Sequence, residues 1–451
     1  MAAQAADAVR MPSYQRVVLA NGATLLLMER HDVPLIAFQA TLRGGVLTDT
    51  AEKAGGANLL AQLLMKGAGQ RNALQFAEAV AQVGGSFDTG VATESFSVDG
   101  QFMARDQALL IELLADVLQR PRLEQGQFND LRQRQIEFLR AAKDSNVGAL
   151  IPTYAAAALF GEHPYGRPLS GSETTLSNLQ YSDVQQLYQQ QFGADRLIIA
   201  VAGDFDTKAL LQQLRRAFGS WHKARTTLPV VKPAPATKGR QVLLIDAPDA
   251  VQTYFWIGNV GVAHNYEQRV ALELVNTLFG GRFTSMLNTE LRIKTGLTYG
   301  ARAQLRQPTQ PGSWNMYSFT QSATSIQAID LALQTYQQLR DTGLDVTALN
   351  SGKNYLLGQY PTDYETAAQW ASTLADLEFY RLPRGEVDAY ADRLRAVTQG
   401  QVSTVISSAL PASENLQFVL IGKAATLRSQ VAKYGTVTEM SLAAPTFAVS
   451  R

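Results

Sequence analysis

Arg292 and Tyr299 stand seven positions apart, with a change of period between them. A guanidinium beside a phenol can grip a carbonyl oxygen and the negative charge that develops on it. Upstream, Phe283, Met286, Leu287, Glu290 and Leu291 recur at helical spacing and predict a helix over 283–291. Gly296 supplies the left-handed residue that commonly ends a helix, and Arg292 and Lys294 suit the negative end of its dipole. Beyond it, Leu297, Tyr299, Ala301, Ala303 and Leu305 alternate with Thr298, Gly300, Arg302 and Gln304, the period of a strand with one buried face over 298–305. The same residues carry a plainer reading, in which Arg292 is a dipole partner and Tyr299 is half-buried packing. Residue types alone favour that plainer reading.

The elements that must position the pair come from a chain of 451 residues, 46% hydrophobic, long enough for more than one core. With 40 basic and 39 acidic residues the net charge is +1, so there is no electrostatic case for nucleic acid or a membrane surface. The absence of cysteine excludes disulfides, thiolate nucleophiles and Cys-ligated metals. No stretch approaches the length of a transmembrane helix, and no membrane insertion is expected. Residues 1–10 lack the basic head and apolar centre of a signal peptide but are Ala-rich, like the flank left after a secretory cleavage site. They give the expectation of a flexible tail over 1–13 and of an exported, periplasmic origin.

The order of elements repeats. Asn21-Gly22 between two apolar runs predicts a hairpin, and a strand ending at Gly44-Gly45, helices over 57–65 and 72–83 and paired strands near 86–103 follow. The second half echoes this with strands over 241–245 and 252–257, a helix over 267–279, and further strands over 298–305 and 313–320. Gly203 and Gly422, and Val184 and Val402, recur at nearly the same spacing, which argues an internal duplication. Between the halves, Pro229, Pro233 and Pro235 mark an extended linker. The expected organisation is a domain over 14–225, a linker over 226–240 and a domain over 241–451. Each is read as α+β, an antiparallel-rich sheet backed by helices and packed separately from the other.

Leu291–Ala303, with Gly280-Gly281-Arg282-Phe283 before it, resembles the Arg…Gly-Leu-x-Tyr signature of the pitrilysin/insulinase family of zinc metallopeptidases, which includes the mitochondrial processing peptidases. The resemblance implies two homologous halves lining a chamber, and it places on Arg292 and Tyr299 the roles of substrate binding and catalysis at the zinc site. The family carries its zinc on a helical His-x-x-Glu-His motif. The segment similar to it here is Gly56–Ala68, where Asn58, Ala61 and Gln62 stand in place of His, Glu and His. Amides are poor zinc ligands, cannot take a proton, and Ala61 has no functional group. The distant Glu ligand would fall near Glu137. None of His31, His163, His222 and His264 pairs with another at ligand spacing, so no metal is expected in this chain.

The resemblance therefore implies the zinc-free subunit of a heterodimeric metalloendopeptidase, inactive alone. A homologous His-x-x-Glu-His partner would carry zinc, and the substrate would be a peptide or unfolded segment. The alternatives are a non-proteolytic scaffold resembling respiratory-complex core subunits and a chaperone-like peptide-binding homodimer. Other enzyme signals are weaker. Ser220-Trp221-His222-Lys223 and Lys294-Thr295-Gly296 match two penicillin-binding-protein motifs, but no Ser-Asp-Asn lies between them. No nucleophile elbow, phosphate-binding loop or dinucleotide fingerprint is present.

Overall fold

The computed structural model describes residues 9–449. In chain order its strands are β1 (Gln15–Val18), β2 (Thr24–Glu29), β3 (Leu35–Arg43), β4 (Gly67–Ala68), β5 (Arg71–Asn72), β6 (Ser86–Val91), β7 (Ser95–Met103) and β8 (Leu197–Gly203). The second half adds β9 (Gln241–Asp246), β10 (Gln252–Val260), β11 (Ala301–Arg306), β12 (Ser313–Gln321), β13 (Gln417–Gly422) and β14 (Thr436–Ser441). Apart from the small β4–β5 hairpin they form two six-stranded sheets, ordered β1-β2-β8-β3-β7-β6 and β11-β12-β10-β13-β9-β14.

From the β6 edge the first sheet matches the second strand for strand, β6 with β11, β7 with β12, β3 with β10, β8 with β13 and β2 with β9. The long pairs are antiparallel, with Leu35 facing Met103 and Gln252 facing Gln321. In both sheets the next strand out is parallel to its neighbour, β2 to β8 and β9 to β13. Only the outermost strands differ, β1 being antiparallel to β2 and β14 parallel to β9. The two halves are thus α+β units of one topology. Asn21-Gly22 does turn the first hairpin, with Gly22 at φ 100° and the Leu19 amide donating to Ala23 O at 2.8 Å.

Strands β8 and β13 are buried along their whole length, so each sheet needs cover on both faces. One face is covered by helices of its own half. The other is covered by a helix from the opposite half: Ala367–Tyr380 packs on β3 and β8, and Ile151–Phe160 packs on β10 and β13. Leu374 and Ala371 share a core with Leu26, Met28, Ile198 and Ala200, while Ile151, Ala155 and Leu159 share one with Trp256, Val419 and Ile421. This reciprocal exchange corrects the expectation of two separately packed domains.

Polar contacts reinforce the exchange. Glu94, in the β6–β7 turn, is buried and accepts from the Tyr165 hydroxyl at 2.6 Å and the Thr309 amide at 2.8 Å, Thr309 lying in the equivalent β11–β12 turn. Arg16 holds Glu378 through two bonds of 2.7 and 2.8 Å. Residues 226–240 form neither helix nor strand, yet His163 Nε2 donates to Lys232 O at 2.8 Å and Thr237 exchanges bonds with Asn259. Of the tail expected to be flexible, residues 1–8 lie outside the described residues. Met11, by contrast, is buried, and its amide donates to Asp388 at 2.7 Å.

Candidate functional site

The helix Arg269–Asn276 widens into a π-helical stretch, Thr277–Gly281. Gly280 there must be glycine, because a Cβ would sit 2.2 Å from the Ala303 amide nitrogen of β11. Ser285 then caps a short helix at Met286–Asn288, which widens again over Thr289–Lys294. Such widened turns are rare and recur at functional sites. Gly296, at φ 64°, ends the stretch as expected, its amide donating to Arg292 O at 3.1 Å. The helix starts later than the sequence reading placed it, and Phe283 lies in the turn before it, exposed.

The strand also starts later, at Ala301. Thr298 Oγ1 donates to Gly300 O and accepts from Gly300 N, and the single hydroxyl proton of Ser318 on β12 is shared between Thr298 Oγ1 and Gly300 O, each 2.9 Å away. Side-chain bonds thus replace the ladder over 298–300 and turn the chain outward. Tyr299, expected on the buried face, is 77% exposed.

The structure nevertheless brings Arg292 and Tyr299 together. The guanidinium carbon of Arg292 lies 4.7 Å from the centre of the Tyr299 ring and 4.9 Å from that of Phe283, so the cation is held against two aromatic rings. Buried Asn288 ties the two sides of this stack together, its Nδ2 donating to Phe283 O at 2.7 Å and its Oδ1 accepting from the Ala301 amide at 3.1 Å. Sequence reasoning missed Phe283 and Asn288. Phe283 carried only an apolar helical period, and no spacing rule joins it to Arg292.

Asn58, Ala61 and Gln62 lie on the helix Gly56–Leu64, with Ala61 fully buried and Asn58 and Gln62 half-buried one turn apart. Asp49 accepts from the Gly55 and Ala57 amides at 3.0 and 2.8 Å at this helix's N-terminus. Burial pushes its carboxyl up to about 7, against the pull of those amides. Glu137 is exposed on the helix Gln125–Ser145 and accepts from the Gln133 amide at 2.8 Å. Among the described residues no three His, Asp or Glu side chains group as a metal ion would require. These residues do not fit zinc.

The four histidines stand apart. His31 contacts Asp204 at 2.6 Å and Glu29 at 3.0 Å, and His264 is stacked on Tyr380 with its Nδ1 bonded to Gln307 O. Lys294 pairs with Glu290 at 2.6 Å, and the Thr295 hydroxyl donates to Glu290 O and Leu291 O. The Lys-Thr-Gly match therefore ends a helix and has no catalytic geometry.

Among curated proteins the chain is similar to a sequence described as an uncharacterised zinc protease of Mycobacterium leprae, 26% identical over 80% of this chain and 81% of that protein. It is also similar to YmxG of Helicobacter pylori, described as a non-peptidase homologue, 20% identical over 84% of this chain and 87% of that one. Among solved structures, a protease from Helicobacter pylori superposes with a TM-score of 0.84 at 18% identity, covering 91% of this chain and 100% of that one. A peptidase M16 inactive domain from Pseudomonas fluorescens gives 0.83 at 19%, covering 91% and 98%. Residues 36–173 match the family profile described as insulinase (peptidase family M16), and residues 178–356 match the one described as the peptidase M16 inactive domain. With both profiles in succession along a chain whose two halves share one topology, the chain belongs to the insulinase family, peptidase family M16.

Proposed function

We propose that this chain is the zinc-free subunit of a two-chain peptidase, supplying Arg292 and Tyr299 to a homologous, zinc-bearing partner with a His-x-x-Glu-His motif. The observation that carries this reading is the contact of half-buried Arg292 with exposed Tyr299 on a fixed loop, their side chains joined by no hydrogen bond or ion pair to a described residue. Nothing in the packing of the chain requires it. In this reading the partner supplies the metal and the base. Arg292 and Tyr299 orient the peptide and stabilise charge on its carbonyl oxygen, a role in which one donor is typically worth about 10²–10³ in rate. The proposed compartment is outside the cytoplasm, on the strength of the Ala-rich composition of residues 1–10 alone.

The test is reconstitution. The chain is mixed with a zinc-bearing homologue, assembly is checked by gel filtration, and cleavage of a quenched peptide is followed with and without Arg292→Ala. Cleavage that needs both chains and Arg292 supports the reading. Assembly with cleavage indifferent to Arg292 sinks it. A second reading, a peptide-binding homodimer or scaffold without proteolysis, is favoured by one feature of the pair: guanidinium meets ring face, with no bond from nitrogen to hydroxyl.

A further inference from the structure

We propose that the Phe283–Arg292–Tyr299 stack is a carboxylate receptor, which takes a carboxylate of a bound peptide at the in-plane edge of Arg292. This rests on the reading that the ligand is a peptide, and goes beyond it in naming the group recognised. Two rings, at 4.9 and 4.7 Å, lie against the guanidinium. Its N–H donors bond to no described residue, and they lie in the fork geometry that matches the two oxygens of a carboxylate. Arg292 then orients the peptide through its carboxylate, and the Tyr299 hydroxyl is left to meet the carbonyl oxygen.

Local charge points the same way. In a chain of net charge +1, residues 282–306 hold five basic side chains and one acidic one, Glu290, which Lys294 already occupies at 2.6 Å. Arg282 is bonded to Ser351, and Arg302, exposed on β11, lies 5.1 Å above the Tyr317 ring. No described carboxylate pairs with Arg292, Arg302 or Arg306, so this segment lacks the anions that balance charge elsewhere in the protein. The exposed rings of Phe283 and Tyr299, 60% and 77% accessible, flank the fork with apolar surface for the rest of the peptide.

The stack is also built rather than incidental. Asn288 links Phe283 O to the Ala301 amide, and Ser318 and Thr320 of β12 fix the loop that presents Tyr299 through Gly300 O, Thr298 and Leu297 O. A ring held at a rigid exposed corner orients the cation without ordering cost on binding. Phe283 thus acts as a positioning residue for Arg292.

The carboxylate has two sources, the peptide's C-terminal group or an Asp or Glu side chain, and the experiment separates them. Fluorescein-labelled peptides of one apolar sequence are titrated into the isolated chain by anisotropy: one with a free C-terminus, one amidated and acid-free, and one amidated with an internal Glu. The expected result is at least tenfold tighter binding by the free acid, the Glu peptide or both than by the acid-free amide. That difference should vanish in Arg292→Gln, fall at least threefold in Phe283→Leu and persist in Phe283→Tyr, with unchanged thermal midpoints. Equal binding of all three peptides, a difference that survives Arg292→Gln, or no binding at all overturns the receptor. Reconstituted cleavage that still requires Arg292 would then leave the proposed function standing.

Discussion

Arg292 sits over the Tyr299 ring, 4.7 Å from guanidinium carbon to ring centre. That contact separates two properties of the tyrosine which usually change together. The ring orients the cation, and the hydroxyl is free to touch a ligand.

Tyr299→Phe removes the hydroxyl and keeps the ring. In a reconstituted complex, kcat is expected to fall about a hundredfold with a smaller change in KM, because a contact to developing charge strengthens in the transition state. Tyr299→Leu removes the stack as well, so it should also raise KM. Since Tyr299 is 77% exposed, both variants should assemble and melt like the parent. Undiminished turnover in both would return the pair to helix-end charge and surface ring.

The purified chain should hold no stoichiometric zinc and cleave no peptide. Asn58, Ala61 and Gln62 offer neither imidazole nor carboxylate, and Glu137 is exposed and bonded to Gln133. Metal analysis after dialysis, run beside a quenched-peptide assay, measures both. About one zinc per chain with chelator-sensitive turnover would overturn the assignment.

Limited proteolysis should nick first in residues 226–240, where Val230 is 91% exposed. The two fragments should nonetheless elute together from gel filtration without denaturant, because Ala367–Tyr380 and Ile151–Phe160 each lie on the other half's sheet. Fragments that separate freely would contradict the exchange.

Two histidines should titrate in opposite directions. Bonds to Asp204 and then Glu29 raise His31 above its ordinary 6.5, whereas burial against Tyr380 lowers His264. The His31 contribution to stability is present below 6.5 and lost as pH rises through its folded value. The His264 contribution is present above 6.5 and lost as pH falls through its folded value. NMR titration of the imidazole protons reads both, and Asp204→Asn should bring His31 back down. Coincident titrations near 6.5 would refute both environments.

Much of this protein is written along the chain. The Asn21-Gly22 turn, the glycine end of the helix at Gly296 and the repeated order of elements are local facts. Each rests on residue type or on a period of two or 3.6, and each is legible without knowing what lies opposite. The Arg292–Tyr299 proximity also followed from the turn between them.

What the sequence could not decide was which surface covers which. The apolar face of Ala367–Tyr380 shows that the helix is buried, but not that it is buried on β3 and β8 of the other half. Periodicity describes a face, and its partner is chosen by two sheets competing for cover. The same holds at the site. The alternation over 297–305 predicts Tyr299 inward, yet hydroxyls of Thr298 and, from β12, Ser318 take the bonds that a strand would have made there. Those contacts turn Tyr299 outward, and a bond from Asn288 brings Phe283 beside it. Only the tertiary structure could set both rings against Arg292, because the bonds that hold them come from the side chain of Asn288 and, across the strand pairing, from Ser318 and Thr320.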